Sequence, residues 1–495
     1  MGRPHEHADP RFLLALWAGK AVAWVIGVFF PRRGTNKSGV VACRIAPGFL
    51  RGFTGIDPKK TIFITGTNGK STSNNLIVHA FRTAGRSVAT NLEGANLVTG
   101  IATALLKNST ASGRLRTEYL ICEVDERSLA RVRAAIPAAY LCVTNIQKDQ
   151  VQRNGDPDYI LRKILAAMDD QTTVFVNNEE PRSSSLSSAA GRTVRFSVAP
   201  RRPASPADEY AVTMPCPLCH DTLAFSSYNL ANIGDFSCPK CGFSSRVHPD
   251  YHLDRVDYEA QLLSINGHEF HLEYDAAHFL YNYALCYAVA AEFGLTPGQV
   301  GRAFETFRNV GGRLEEFRYR STSIRYLRIK QENPETLQSA IDDISPRTVG
   351  PRHLTEGETV FVLGLQLVHD IVPHYSNTAY FFDCDLTPLV ERGVETCICF
   401  GSVNCYDAAT RLVYAGFPED KIVVVDSDDP KDVLEAVARC RAPRAYLMTM
   451  LGEYEALRAY ADAGRARPRP KVVGAETTEG VESRNTDRRT AGGRS

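Results

Sequence analysis

The sequence has no surplus of charge of either sign. Across 495 residues, 57 Lys and Arg stand against 56 Asp and Glu, a formal net charge of +1. That excludes the broad basic face of a nucleic-acid protein, though not a local patch. A disulfide framework is missing too. The 13 cysteines are an odd number, and those outside two close pairs are scattered through apolar runs such as YLICEVD, YLCVTN and TCICFG. There a free thiol packs as a small hydrophobe, which fits a reducing, cytoplasmic compartment. No internal repeat marks a solenoid. No G-x-C-x-G elbow presents a nucleophilic thiol. The apolar run Phe12–Phe30 lacks the small-residue cleavage site of a signal peptide. It is long enough to span a bilayer. Lys20 near its centre and two glycines instead favour a helix lying on a membrane surface or docked against the next domain.

What is present is an α/β rhythm. At about 150 residues per domain, the length suggests roughly three domains. Residues 1–55 read as an N-terminal helix and a loop-rich link, GTNKSGVVACRIAPGFLRGF. From residue 56, short apolar runs ending in polar residues (TIFIT, RSVATNLEG, TEYLICEVDE, AAYLCVTNIQKDQ) alternate with helical stretches. This predicts a parallel sheet with crossover helices, extending to residue 312. Around 205–250 the pattern changes to short strands, turns and the cysteine pairs, and a helix returns at AHFLYNYALCYAVAAEFGL. A second α/β alternation fills 313–464, and the polar segment 465–495 reads as a disordered tail.

The stretch TIFITGTNGKST places Gly66, Thr67, Asn68, Gly69, Lys70, Ser71 and Thr72 between an apolar strand and a helix. Ile64 occupies the first glycine position of the strict G-x-x-x-x-G-K-[ST] pattern, yet the physics survives. Two glycines let backbone N–H groups approach phosphate oxygens, and the helix N-terminus favours anions. Lys70 is expected to reach the β/γ-phosphates of ATP, and the Ser71 hydroxyl to ligate Mg²⁺. Mg²⁺ also wants a carboxylate at a neighbouring strand end. EYLICEVDE offers Glu123, Asp125 and Glu126, and Glu123, beside the apolar run, is the expected ligand.

Cys216-x2-Cys219 and Cys238-x2-Cys241, both in C-P-x-C contexts, form a four-thiolate pattern for structural Zn²⁺. His220 is unnecessary as a ligand and is expected to be exposed.

Together GTNGKST, NLEGANLVTG, EVDE, VTNIQKDQ, an H-x-x-YNYA helix and GGRLEEF resemble, in order, the Mur ligases, ATP-dependent amide-bond enzymes of peptidoglycan synthesis. The inserted cysteine ribbon, with GLQLVHD, FFDCD, FGSVNCYDAATRLVYAG and MTMLGEYEALR, narrows the resemblance to the MurT-type branch. It implies a Mur-ligase-type P-loop ATPase domain with an inserted zinc ribbon and a C-terminal α/β domain. It implies activation of the D-isoglutamate α-carboxyl of lipid II as an acyl phosphate, and attack by ammonia from a separate GatD-like glutaminase subunit. By the same resemblance Asn282 lies on the adenine side, Arg313 approaches the phosphates, and Asn333 belongs to a turn near the nucleotide. The branch also supplies an Asp that assists the glutaminase. Counting back from FFD puts Asn377 there, and counting forward from GLQ brings Asp370 close.

Two other readings stay open on the residues. One is a Mur-type paralogue joining a different amine and carboxylate. The other is a nucleic-acid NTPase gripping its ligand with the ribbon. Lys240 and Arg246 set against Asp221, Asp235 and Asp250 make a poor footprint for the second.

Overall fold

The computed structural model describes residues 9–29, 36–91, 96–148, 156–199, 202–203, 214–230, 232–308, 314–329, 334–344, 359–364, 379–391, 393–402 and 404–465. Arg313, Asn333, Asp370, Asn377 and the tail after residue 465 lie outside them.

The predicted α/β architecture is present as two sheets. The first runs through β1 (Thr61–Thr65), β2 (Val88–Ala89), β3 (Tyr119–Glu123), β4 (Tyr140–Val143), β5 (Thr173–Asn177) and β6 (Arg192–Val198). From its far edge it is ordered β2-β3-β1-β4-β5-β6, all parallel, followed by strand 251–257 and the antiparallel strands 262–265 and 268–271. β1 is central, and every residue of TIFIT is buried. A strand covered on both faces must be apolar throughout rather than alternating.

Successive side chains of β1 serve opposite faces. Ile62 and Ile64 join a core with α3 (Lys70–Thr83) and the helices Ala277–Glu292 and Pro297–Thr306. Phe63 points to the other core, built from α1 (Pro10–Phe29), α2 (Lys37–Ile45), α4 (Val98–Asn108) and the helices after β3 and β4. The helix after β1 therefore packs on one face and those after β2, β3 and β4 on the other. The crevice at the carboxyl ends of β1 and β3 is where the connections diverge, the usual ligand position in open α/β sheets.

The link predicted to be loop-rich contains α2, which corrects that expectation. Its Ser38, Gly39 and Ala42 are buried, and a Cβ on Gly39 would fall 1.9 Å from Thr99 O. Small residues stand here, including the weak helix formers Ser38 and Gly39, because α2 lies directly on α4, a tertiary demand that local pattern does not reveal.

The second sheet is ordered 314–319, 322–328, 444–449, 359–364, 396–400 and 422–425, parallel except for its first hairpin. Val360 and Val362 face one of its cores and Phe361 and Leu363 the other.

Candidate nucleotide site and cysteine cluster

The loop after β1 turns into α3 through two glycines with left-handed backbone, Gly66 at φ 120° and Gly69 at φ 81°. Neither tolerates a side chain. A Cβ on Gly66 would lie 2.4 Å from Thr144 Oγ1, and one on Gly69 2.9 Å from Asn282 Oδ1. The segment after β4 clamps the loop. Thr67 N donates to Asn145 O at 2.8 Å, Asn68 N to Asn145 Oδ1 at 2.9 Å, and Thr144 Oγ1 to Asn68 O at 2.7 Å. Gln147 closes the clamp, its N donating to Thr67 Oγ1 at 2.9 Å while its Oε1 accepts from Asn68 Nδ2 at 3.1 Å. Thr72 is buried on the first turn of α3.

Lys70 is also buried. Its Nζ donates to the carbonyls of Gly66 and Thr67 and pairs with Glu126 Oε1 at 2.8 Å. Burial pushes the Glu126 carboxyl above its ordinary range, and Lys70 opposes that shift. Ser71 Oγ donates to Glu123 Oε2 at 2.6 Å, and Asn96 Nδ2 to Glu123 Oε1 at 3.2 Å. Asn91 fixes the Glu123 backbone from both sides, accepting from its N at 3.0 Å and donating to its O at 2.8 Å. A hydroxyl beside a carboxylate is the hard-oxygen donor set that suits Mg²⁺. The structure thus brings Lys70, Ser71 and Glu123 together. It adds Asn91, Asn145 and Gln147, which sequence reasoning missed, and it turns Glu126 inward onto Lys70. For Glu126 the signal was present in EVDE, but the chain does not say which of three acids turns inward.

Asn282 lies on the buried helix Ala277–Glu292 against the same loop and accepts from Ser73 Oγ at 2.8 Å. Among the described residues its buried Nδ2 has no hydrogen-bond partner. A buried amide donor left open is costly unless a ligand or water completes it. The fit to a nucleotide therefore rests on three features: loop amides at a helix start, an oxygen pair for a metal, and one open donor. Arg313, Asn333, Asp370 and Asn377 fall outside the described residues.

The four cysteines converge so that their Sγ atoms all lie within 4.8 Å of one another. The two pairs form matching turns. His220 N donates to Cys216 O and Gly242 N to Cys238 O at 2.9 and 3.0 Å, and both donors have left-handed backbone. His220 is exposed, as expected. The backbone N–H of Cys241 draws the Cys238 thiol down, while burial raises Cys216 and Cys219 is raised with it, so of these three thiols Cys238 ionises most readily. Among the described residues the nine other cysteines form no disulfide, and seven of them are buried.

The cluster caps a hairpin of strands Ala224–Leu230 and Ile233–Ser237, whose far end reaches the nucleotide site. Asn232 Oδ1 accepts from Gln147 Nε2 at 2.7 Å, one step from Asn68. Asn229 Nδ2 donates to Glu179 Oε2 at 3.1 Å and to Tyr281 OH at 2.7 Å, and Tyr281 OH donates to the same Glu179 oxygen at 2.7 Å. Burial pushes Glu179 up to about 8 against those hydrogen bonds. Glu179 therefore joins β5, the hairpin and the helix that carries Asn282.

Residues 64–208 match the family model of the Mur ligase middle domain, and residues 331–457 that of the MurT ligase C-terminal domain. The MurT subunit of lipid II isoglutaminyl synthase (glutamine-hydrolyzing) from Staphylococcus aureus strain COL is 26% identical over 373 residues, 75% of this chain and 81% of that protein. The subunit of the same name from Streptococcus pneumoniae is 26% identical over 440 residues, covering 88% of this chain and 93% of its own. Among solved structures, the pseudomurein peptide ligase type C from Methanothermus fervidus superposes with TM-score 0.62 at 14% identity, over 84% of this chain and 80% of that one. The MurF ligase from Thermotoga maritima, solved with ADP, gives TM-score 0.53 at 14% identity, over 86% and 85%. At such identities these two likenesses are of fold. The chain belongs to the Mur ligase family, with a C-terminal domain of the MurT type.

Proposed function

We propose that this chain is the ATP-consuming subunit of a lipid II isoglutaminyl synthase, working in the cytoplasm with a GatD-like glutaminase. The observation that carries the reading is the buried Lys70 poised on the loop carbonyls beside the Ser71–Glu123 pair, in a chain whose relatives are MurT subunits over most of its length.

The roles follow from the chemistry. The loop amides and the start of α3 hold the phosphates of ATP. Lys70 moves from Glu126 onto the transferring phosphoryl group, whose spread of negative charge is the main catalytic demand. Ser71 and Glu123 would hold Mg²⁺, which would supply charge neutralisation at the phosphates. Asn282 offers its open Nδ2 to the nucleotide. The D-isoglutamate α-carboxylate of lipid II attacks the γ-phosphorus, ADP leaves, and an acyl phosphate remains. Ammonia then attacks the acyl carbon, phosphate leaves with the bonding pair, and the nitrogen sheds a proton to give the amide. The ammonia comes from glutamine on the partner, consistent with cysteines that are mostly buried in this chain. Arg313 at the phosphates, Asn333 near the nucleotide, and Asp370 or Asn377 beside the partner's catalytic pair complete the assignment. The four thiolates of Cys216, Cys219, Cys238 and Cys241 would hold Zn²⁺, which would supply structural stability rather than catalysis.

The test is an assay of the chain and the glutaminase with lipid II, ATP and glutamine, read by mass spectrometry. Amidated lipid II is the expected product. ATP hydrolysis without it, from an intact complex, would leave the ligase class and replace the substrate with another carboxylate.

A further inference from the structure

Helix α1 is apolar on two opposite faces. Phe12, Ala15, Leu16 and Gly19 are buried on one of them. A Cβ on Gly19 would lie 2.8 Å from the Leu106 side chain, so that face is tightly seated on α4. On the other, Leu14, Trp17, Ala21, Trp24 and Val28 recur at helical spacing and stand exposed. The chain has two tryptophans, and both lie on this stripe, 57% and 66% exposed. From Leu14 to Val28 the stripe runs about 21 Å at 1.5 Å per residue.

The surroundings name the occupant. Residues 10–56 hold seven Lys and Arg and no Asp or Glu, in a chain whose net charge is +1. Arg11, Lys37, Arg44 and Arg51 are exposed. A continuous apolar stripe with tryptophans in a purely basic segment is complementary to an anionic lipid surface, where indole rings favour the headgroup level. A second copy of this chain would bring the same positive segment against itself. Crossing the bilayer is opposed by the seated face and by Lys20, whose Nζ donates to Leu106 O at 2.6 Å and Ser109 O at 2.8 Å.

We propose that the outward face of α1 seats the chain, in the membrane plane, on an anionic phospholipid surface. This stands independently of the lipid II assignment.

The test uses the full chain and vesicles of phosphatidylcholine alone or mixed equally with phosphatidylglycerol. The chain is expected to float with the mixed vesicles and to be released several-fold by high salt, because the charge attraction is screened. Both tryptophans report directly: emission shifts to the blue, and a quencher near the headgroups acts more strongly than one at the bilayer centre. A Leu14→Glu/Val28→Glu variant keeps both reporters, and a Trp17→Ser/Trp24→Ser variant removes them. Each is expected to float several-fold less with an unchanged melting temperature. A folded chain that ignores both vesicle types overturns the proposal. So does stronger quenching from the bilayer centre with resistance to alkaline carbonate, which means a spanning helix. An emission shift that needs no lipid, on raising the chain concentration or adding the glutaminase, assigns the stripe to protein and equally overturns it.

Discussion

Lys70 and Glu126 form a buried pair in which each needs the other until phosphate arrives. Lys70→Ala is expected to lower ATP turnover by about a hundredfold or more. The fold should survive, because burial already favours the neutral Glu126 that the variant leaves behind. Glu126→Ala does the opposite and deprives the buried Lys70 cation of this carboxylate. A loss of about 3 kcal/mol is expected without nucleotide, with ATP raising the melting temperature more than in the parent. An equal nucleotide response in both would contradict this pairing. Glu179 makes a pH prediction. Its folded-state pKa of about 8 lies above the ordinary carboxylate value, so between the two the native state holds a proton that the unfolded chain has lost. Stability from this group falls as pH rises through that window. Glu179→Gln is expected to flatten the dependence of melting temperature on pH up to about 8. An unchanged slope would show that Glu179 is ionised in the native state. Of these buried acids, Glu126 was legible only as one of the three carboxylates in EVDE, and Glu179 was not legible at all. Only tertiary packing decides that Glu126 and Glu179 turn inward.

The ribbon shows at the scale of elements how far local pattern reaches. The two C-P-x-C turns were legible because every ligand and turn residue is close in sequence. The hairpin's grip on the site was not. The bonds from Asn232 to Gln147 and from Gln147 to Asn68 join residues about eighty positions apart. A ribbon read from sequence as structural thus touches the clamp of the phosphate loop. Asn232→Ala is expected to weaken ATP affinity by about 1 kcal/mol, roughly fivefold, the worth of one hydrogen bond. kcat should change little, which steady-state KM and kcat would separate. Removing the proposed Zn²⁺ with a chelator is expected to act in the same direction. Both treatments leaving KM for ATP untouched would make the hairpin a staple only.

The whole molecule was legible as an alternation, because strands buried on both faces are continuous apolar runs. Strand order and the packing of α2 on α4 were not, since both depend on which helix covers which face. The two α/β units meet in one described ion pair, Lys148 Nζ to Asp383 Oδ2 at 3.2 Å, directly after Gln147. Both partners are substantially exposed, and such a pair adds little stability. What the arrangement requires of the whole molecule is one chemical path, from the phosphate loop to an activated carboxylate to an amide. The most direct measurement supplies lipid II with its D-isoglutamate α-carboxyl labelled with heavy oxygen, together with ATP, glutamine and both subunits. Transfer of one labelled oxygen into inorganic phosphate for each amide formed is the predicted result. Amide formation with unlabelled phosphate, or with AMP and pyrophosphate as products, would contradict it.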